Sequence, residues 1–237
     1  MRKRVIFLLV LGICLFVSGC TSKEEKERQD NKQQSRITKE EFLEYYGIPE
    51  EEVEGIDVTT FVRMCDIKLD DTDVADIRLQ LDFYKEDFGD MGLMDYGYML
   101  EESVNTPLTQ DNVNDIVRLV WQINEGDGVE ALAFDFKNEK IYEGYRIEEF
   151  DNSYLVGIPD DAIKESVIQL INEYDLYSWK DYYKGGSTEG TTASYNWQMA
   201  IEFSDGTIYR TGGDGLGDKA RPDNMEDFIA DLRKCIP

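Results

Sequence analysis

Histidine is missing from all 237 residues, and that absence removes a large share of protein chemistry. A Ser-His-Asp or Cys-His nucleophilic site, His-ligated zinc and a histidine acid, base or pH switch all need an imidazole. Any catalysis would have to run on carboxylates, Lys, Tyr or Cys. Positive charge is also scarce: 25 Lys and Arg stand against 50 Asp and Glu, a formal charge of −25. A field of that sign repels nucleic-acid phosphates and excludes nucleic-acid binding, while metal ions, basic peptides and basic protein surfaces stay open as partners beside the plain reading of a solvated acidic surface. The apolar run from Val5 to Val17 falls short of the roughly 20 residues that span a bilayer as a helix. Cysteines number four.

That short apolar run follows the basic cluster Met1-Arg2-Lys3-Arg4 and leads into Val17-Ser18-Gly19-Cys20. A charged start and an apolar middle make a signal peptide, residues 1–19. The small residues running straight into Cys20 resemble the lipobox of bacterial lipoproteins. The resemblance implies a diacylglycerylated Cys20 as the first mature residue, held at the outer, extracytoplasmic face of the cell membrane. Two or three acyl chains anchor stably, since each buried methylene contributes about 0.8 kcal/mol. Loss of Arg2, Lys3 and Arg4 takes the charge from −25 to −28. Residues 21–36 hold no apolar side chain and cannot offset the entropy of ordering, so 20–36 read as a lipidated cysteine and a tether. Fully extended, the tether reaches roughly 50 Å.

Residues 37–237 are expected to form a single α+β domain, with a helical and strand part over 37–114. Thr38 and Glu41 have capping-box spacing, Ile37 and Phe42 staple spacing, and Gly47 with Pro49 ends that helix. A second helix starts near Asp57, with Val58, Phe61, Val62 and Cys65 on one face. Ile77, Leu79, Leu81 and Phe83 alternate with polar residues and predict a half-buried strand. Residues 84–114 lose all period, and strand character returns over Ile116 to Ile123.

Residues 115–237 carry an apparent repeat. Leu132 to Tyr142 lies on Met199 to Tyr209 without a gap, each a hairpin pattern restarting with Ile-Tyr. Asp205-Gly206 predicts a type I′ turn. Amphipathic helices follow, one with Ile163, Val167, Leu170, Ile171 and Tyr174 on a face, the other with Met225, Phe228, Ile229, Leu232 and Ile236, where Asp223 and Glu226 have capping-box spacing. The expectation is a duplicated hairpin–helix unit: an antiparallel sheet with helices on one face and water on the other. Trp197 in its alternating strand, Phe203-Ser204-Asp205-Gly206, the glycines of 212–217 and Pro222-Asp223-Asn224-Met225 resemble a C-terminal region of Gram-positive lipoproteins. That resemblance covers about the last 60 residues and implies a fold without an activity.

Trp179, Tyr182, Tyr183 and Tyr195 gather beside a Gly/Ser/Thr stretch. Exposed together they would form a ligand-binding surface for a protein, peptide or glycan; packed on the sheet they would only cap it. Once Cys14 leaves and Cys20 is lipidated, Cys65 and Cys235 remain, either as a disulfide or as two small hydrophobes on helix faces. Asp66, Asp70, Asp71, Asp73 and Asp76 are dense, but the stretch lacks the glycine and glutamate of an EF-hand loop, so no metal is expected. Gly212 to Asp218 is no phosphate loop, because its acids repel the anion. No catalytic residue and no cofactor is singled out. The reading is a membrane-anchored, non-enzymatic binding domain. Two alternatives stand beside it: a carboxylate-based hydrolase of envelope glycans, and an inhibitory or folding accessory to another secreted protein.

Overall fold

A computed structural model describes residues 37–69, 72–101, 105–125, 128–186 and 195–237. The signal peptide, Cys20, the tether, Asp70, Asp71 and the 187–194 stretch lie outside the described residues. Among those described, five α-helices and a seven-stranded, mostly antiparallel sheet form an α+β fold.

Three helices come first: α1 Lys39–Tyr46, α2 Val58–Met64 and α3 Val74–Phe88. Thr38 and Glu41 close the capping box on α1, and Asp57 caps α2 through the Thr60 amide. The helices bury Phe42, Tyr46, Phe61, Val62, Ile77, Leu81 and Tyr84 in a core of their own. Residues 77–83, expected as a strand, are the middle of α3. Asp73 caps that helix through the Ala75 amide. Ile77, Leu81 and Tyr84 recur at helical spacing and are buried, whereas Leu79 and Phe83 are exposed. The period-two pattern arose because two of its four apolar residues face water.

The strands are β1 Ile116–Glu125, β2 Gly128–Asp135, β3 Lys140–Gly144, β4 Leu155–Gly157, β5 Tyr182–Lys184, β6 Tyr195–Phe203 and β7 Ile208–Asp214, in the order β4-β3-β2-β1-β6-β7-β5. Only β5 runs parallel to its neighbour, β7. The two repeat segments flank β1 in matching register. Trp121 pairs with Leu132 on one side and Met199 on the other, Val120 with Ala133 and Ala200, and Arg118 with Asp135 and Glu202. These are the same residue pairs that the sequence alignment superposes.

The β6–β7 turn differs from the expected type I′. Only Gly206 has positive φ, at 79°, and its amide bonds the Phe203 carbonyl, a type I turn followed by one left-handed residue. Glu139 occupies the equivalent place in the β2–β3 turn with φ 56°. A non-glycine residue there is strained. Glu139→Gly is expected to raise stability by about 0.5–1 kcal/mol in chemical denaturation, the relief of strain exceeding the added chain entropy.

Helices α4 Asp161–Glu173 and α5 Met225–Arg233 cover one sheet face. Asp160 caps α4 through the Ile163 amide. The capping box expected at Asp223 is not made: α5 starts after Asn224, whose side-chain amide donates instead to the Tyr174 carbonyl, and Glu226 pairs with Arg221.

The other sheet face, expected in water, is also buried. Residues 94–100 lay Met94, Tyr96 and Met99 over Val120, Ala131, Ala133, Tyr142 and Ala200. Alanines on this face let the covering chain approach closely. Of the stretch from 84 to 114 that looked formless, residues 84–88 finish α3 and 94–100 form this cover, pinned by backbone bonds from Met94 to Phe150 and from Tyr96 to Ile147.

Cys65 and Cys235 are free thiols in different apolar clusters, so the disulfide alternative is not realised here. Burial pushes both thiols up from the ordinary cysteine range, leaving little thiolate at neutral pH. Intact mass after denaturation should be unchanged by reductant. Alkylation at pH 7.5 should be slow in the native protein and fast in urea.

Candidate functional site

Helix α4 ends at Glu173, and two residues on, Asp175, with a left-handed backbone (φ 50°), turns the chain into a short 3-10 segment, Leu176–Ser178. Leu176 is fully buried and fixes where that segment leaves the core. Trp179 follows, then Lys180 and the edge strand β5. The connection from β7 to α5, carrying Asp218, Lys219, Arg221 and Asp223, faces this segment across an open groove of about 740 Å³.

The wall of the groove is held by aromatic packing. Trp179 meets Trp197 edge-on at 6.0 Å and Phe228 at 5.7 Å, and Tyr183 leans on Trp197 at 6.0 Å. The Trp197 indole donates to the Ala220 carbonyl at 2.8 Å, tying β6 to the turn that carries Lys219. Gly213 permits this approach, since a Cβ would run into the Ala220 and Tyr183 carbonyl oxygens. The Lys180 amide donates to the Tyr183 hydroxyl at 3.0 Å, and the Thr211 hydroxyl donates to the Lys180 carbonyl at 2.7 Å.

The four aromatics expected as one exposed surface therefore part company. Trp179 is only 7% exposed and Tyr195 is buried, so both belong to the core. Tyr195 lies under Arg221, whose guanidinium is 5.7 Å from its ring and donates to its hydroxyl. Tyr183 is half-buried. Tyr182 is 56% exposed, and its register partner Gly212 has no side chain to cover it. Trp179, Tyr182 and Tyr183 line the groove; Tyr195 does not. Capping of the sheet accounts for three of the four. Tyr182 remains as a ligand surface, joined by lysines that aromatic content alone did not flag.

Exposed Lys180, Lys184 and Lys219 stand around the groove, and none makes an ion pair among the described residues. Among the other described lysines, Lys39 pairs with Glu50 and Lys234 with Asp231, while Lys68, Lys85, Lys137, Lys140 and Lys164 make no ion pair either; what sets Lys180, Lys184 and Lys219 apart is that they share one groove. Asp175, Asp218 and Asp223 share the rim.

A second polar centre lies on the opposite sheet face, where the two repeat-equivalent acids meet. Arg118 donates through Nε to Asp135 at 2.9 Å and through Nη1 to Glu202 at 2.6 Å. Tyr96 donates to Asp135 at 3.0 Å; Tyr98 donates to Glu202 at 2.8 Å and accepts from Arg118. Asn138 adds backbone and side-chain bonds to Asp135. Burial alone would favour a neutral guanidine, but Tyr98, Asp135 and Glu202 outweigh it and hold Arg118 more firmly protonated than an ordinary arginine. Burial pushes the Tyr96 and Tyr98 phenols well up, so they remain donors. Arg118, Tyr98 and Glu202 floor a cavity of about 430 Å³ between the sheet and the starts of α1 and α2.

No family model, curated protein or solved structure matches the chain.

Both carboxylates of the Arg118 centre accept from the guanidinium and from a phenol, a network that ties the two hairpins to β1. Asp95, the other well-buried acid with charged partners, is spent on Arg63 at 2.6 Å and on the Gly97 amide. Among the described residues no group of His, Cys, Asp or Glu is arranged to hold a metal, and Asp73 of the acidic stretch serves as a helix cap. A signal for the Arg118 centre was present in the repeat alignment, which superposes Asp135 on Glu202. Nothing local in the sequence of β1 shows that its arginine lies between them.

Proposed function

We propose that the protein is a lipid-anchored, extracytoplasmic lipoprotein whose folded domain binds an envelope component at the Trp179–Lys219 groove without turning it over. The observation that carries this reading is the division of labour among its polar groups. The carboxylates of Asp135, which is buried, and of Glu202 and Asp95, which are mostly so, pair with arginines, whereas the open groove keeps a bare tyrosine face and three lysines without an ion pair among the described residues. An enzyme needs a poised acid or base within reach of its substrate; a receptor needs exposed, rigidly backed contact groups. The groove meets the second requirement. The reading assigns attachment to Cys20 on the strength of the lipobox resemblance of Val17-Ser18-Gly19-Cys20.

Attachment is tested by fractionation. Cys20→Ala should move the protein from the membrane pellet to the supernatant, and full retention of the variant would rule out the lipid anchor. Binding is tested by sedimentation with washed, protein-free envelope glycan. Tyr182→Ala should weaken pelleting about tenfold, the effect of truncating a central aromatic in a binding surface, while Tyr182→Phe keeps most of it. Equal pelleting of wild type and Tyr182→Ala would move the site elsewhere.

A further inference from the structure

We infer that the groove takes an anionic saccharide. The inference rests on the binding reading above and names the ligand class. In a chain with twice as many acids as bases, Lys180, Lys184 and Lys219 converge on one groove and make no ion pair among the described residues. Three convergent ammonium groups on rigid backing call for an anion, because each is a strong donor with no acceptor among the described residues. Their positions are fixed from beneath: Lys180 lies 5.4 Å over the Tyr183 ring, Lys184 sits on β5 opposite Asp214, and Lys219 rides the turn held by the Trp197 indole.

A simple anion leaves the rest of the groove unexplained. Carboxylates of Asp175, Asp218 and Asp223 on the same rim would repel it. They suit a ligand that brings hydroxyl donors as well, since an ionised carboxylate only accepts hydrogen bonds. Tyr182 adds an uncovered ring at the strand edge, a flat apolar face for the C–H surface of a pyranose. Hydroxyls for the aspartates, a ring face for Tyr182 and negative substituents for the lysines together describe a saccharide bearing carboxylate or phosphate.

Four probes of equal length test this on the detergent-solubilised full chain: a galacturonate oligomer, a phosphomannan oligosaccharide, and neutral galactose and mannose oligomers. At least one anionic probe should bind at least about tenfold more tightly than its neutral counterpart. Which anionic probe wins separates carboxylate from phosphate. The Lys180→Ala/Lys184→Ala/Lys219→Ala variant should lose that preference at an unchanged unfolding midpoint, since all three side chains are exposed. Equal binding of neutral and anionic probes, or a preference that survives in the lysine variant, overturns the inference. Should no probe bind while Tyr182-dependent pelleting persists, the ligand class falls and the binding reading stands. Loss of both brings down both.

Discussion

Arg118→Leu is expected to destabilise the domain by about 3–5 kcal/mol, the cost of leaving buried charge without its partner. Asp135 is fully buried and Glu202 nearly so; with the guanidinium gone, only Tyr96, Tyr98 and Asn138 still donate to them. Arg118→Lys should fall between leucine and wild type. A single ammonium cannot reproduce the fork that serves Asp135 through Nε and Glu202 through Nη1. The combined Arg118→Met, Asp135→Asn, Glu202→Gln variant removes all three charges and should cost less than Arg118→Leu alone. Urea denaturation with matched m-values is the measurement. An arginine variant at wild-type stability would mean that the centre does not hold the two hairpins to β1.

Trp197→Ala carries the second large effect, about 3–5 kcal/mol, because it empties a fully buried indole volume in the core. The structural consequence reaches the groove. Trp179 and Tyr183 both lean on Trp197, and its indole hydrogen bond places the turn bearing Lys219. Trp197→Phe keeps most of the packing and removes the bond to the Ala220 carbonyl, for about 1 kcal/mol. The phenylalanine variant should therefore fold well and still bind less tightly than wild type. Calorimetric melting and binding measured on the same samples separate the two effects. Unchanged binding in Trp197→Phe would show that the Lys219 turn is held by other means.

Much of this architecture was legible from local pattern. The capping box of α1 and the amphipathic faces of α2, α4 and α5 report residues a few positions apart, which is the range over which sequence reads directly, although the box expected at Asp223 is not made. The hairpin repeat was legible for the same reason, and its offset even matched Asp135 to Glu202. What escaped was long-range. Whether Leu79 faces core or water is decided by what packs on α3, so four alternating apolar residues were compatible with strand and helix alike. The second buried sheet face was signalled by Ala131-Leu132-Ala133-Phe134, where both phases of the strand are apolar, but small residues look neutral until the chain that needs their smallness is known. At the groove, the aromatic cluster marked the right region for a mixed reason. Trp179 and Tyr195 gathered there to pack the sheet, and only Tyr182 was left over. The lysines became meaningful once their convergence on one groove was visible, and proximity across the fold is not written in neighbouring residues.

Central to the proposed function is that this domain holds its ligand and leaves it unchanged. The direct measurement is to incubate the full chain with the tightest-binding saccharide for many dissociation lifetimes, then compare the ligand's mass and reducing-end content with a protein-free control. The expected result is saturable binding that depends on Tyr182 and the three lysines, with the ligand recovered at its original length. Shortened ligand with new reducing ends, lost in Glu202→Gln or Asp135→Asn variants that still fold, would contradict it and make the protein a carboxylate-based hydrolase.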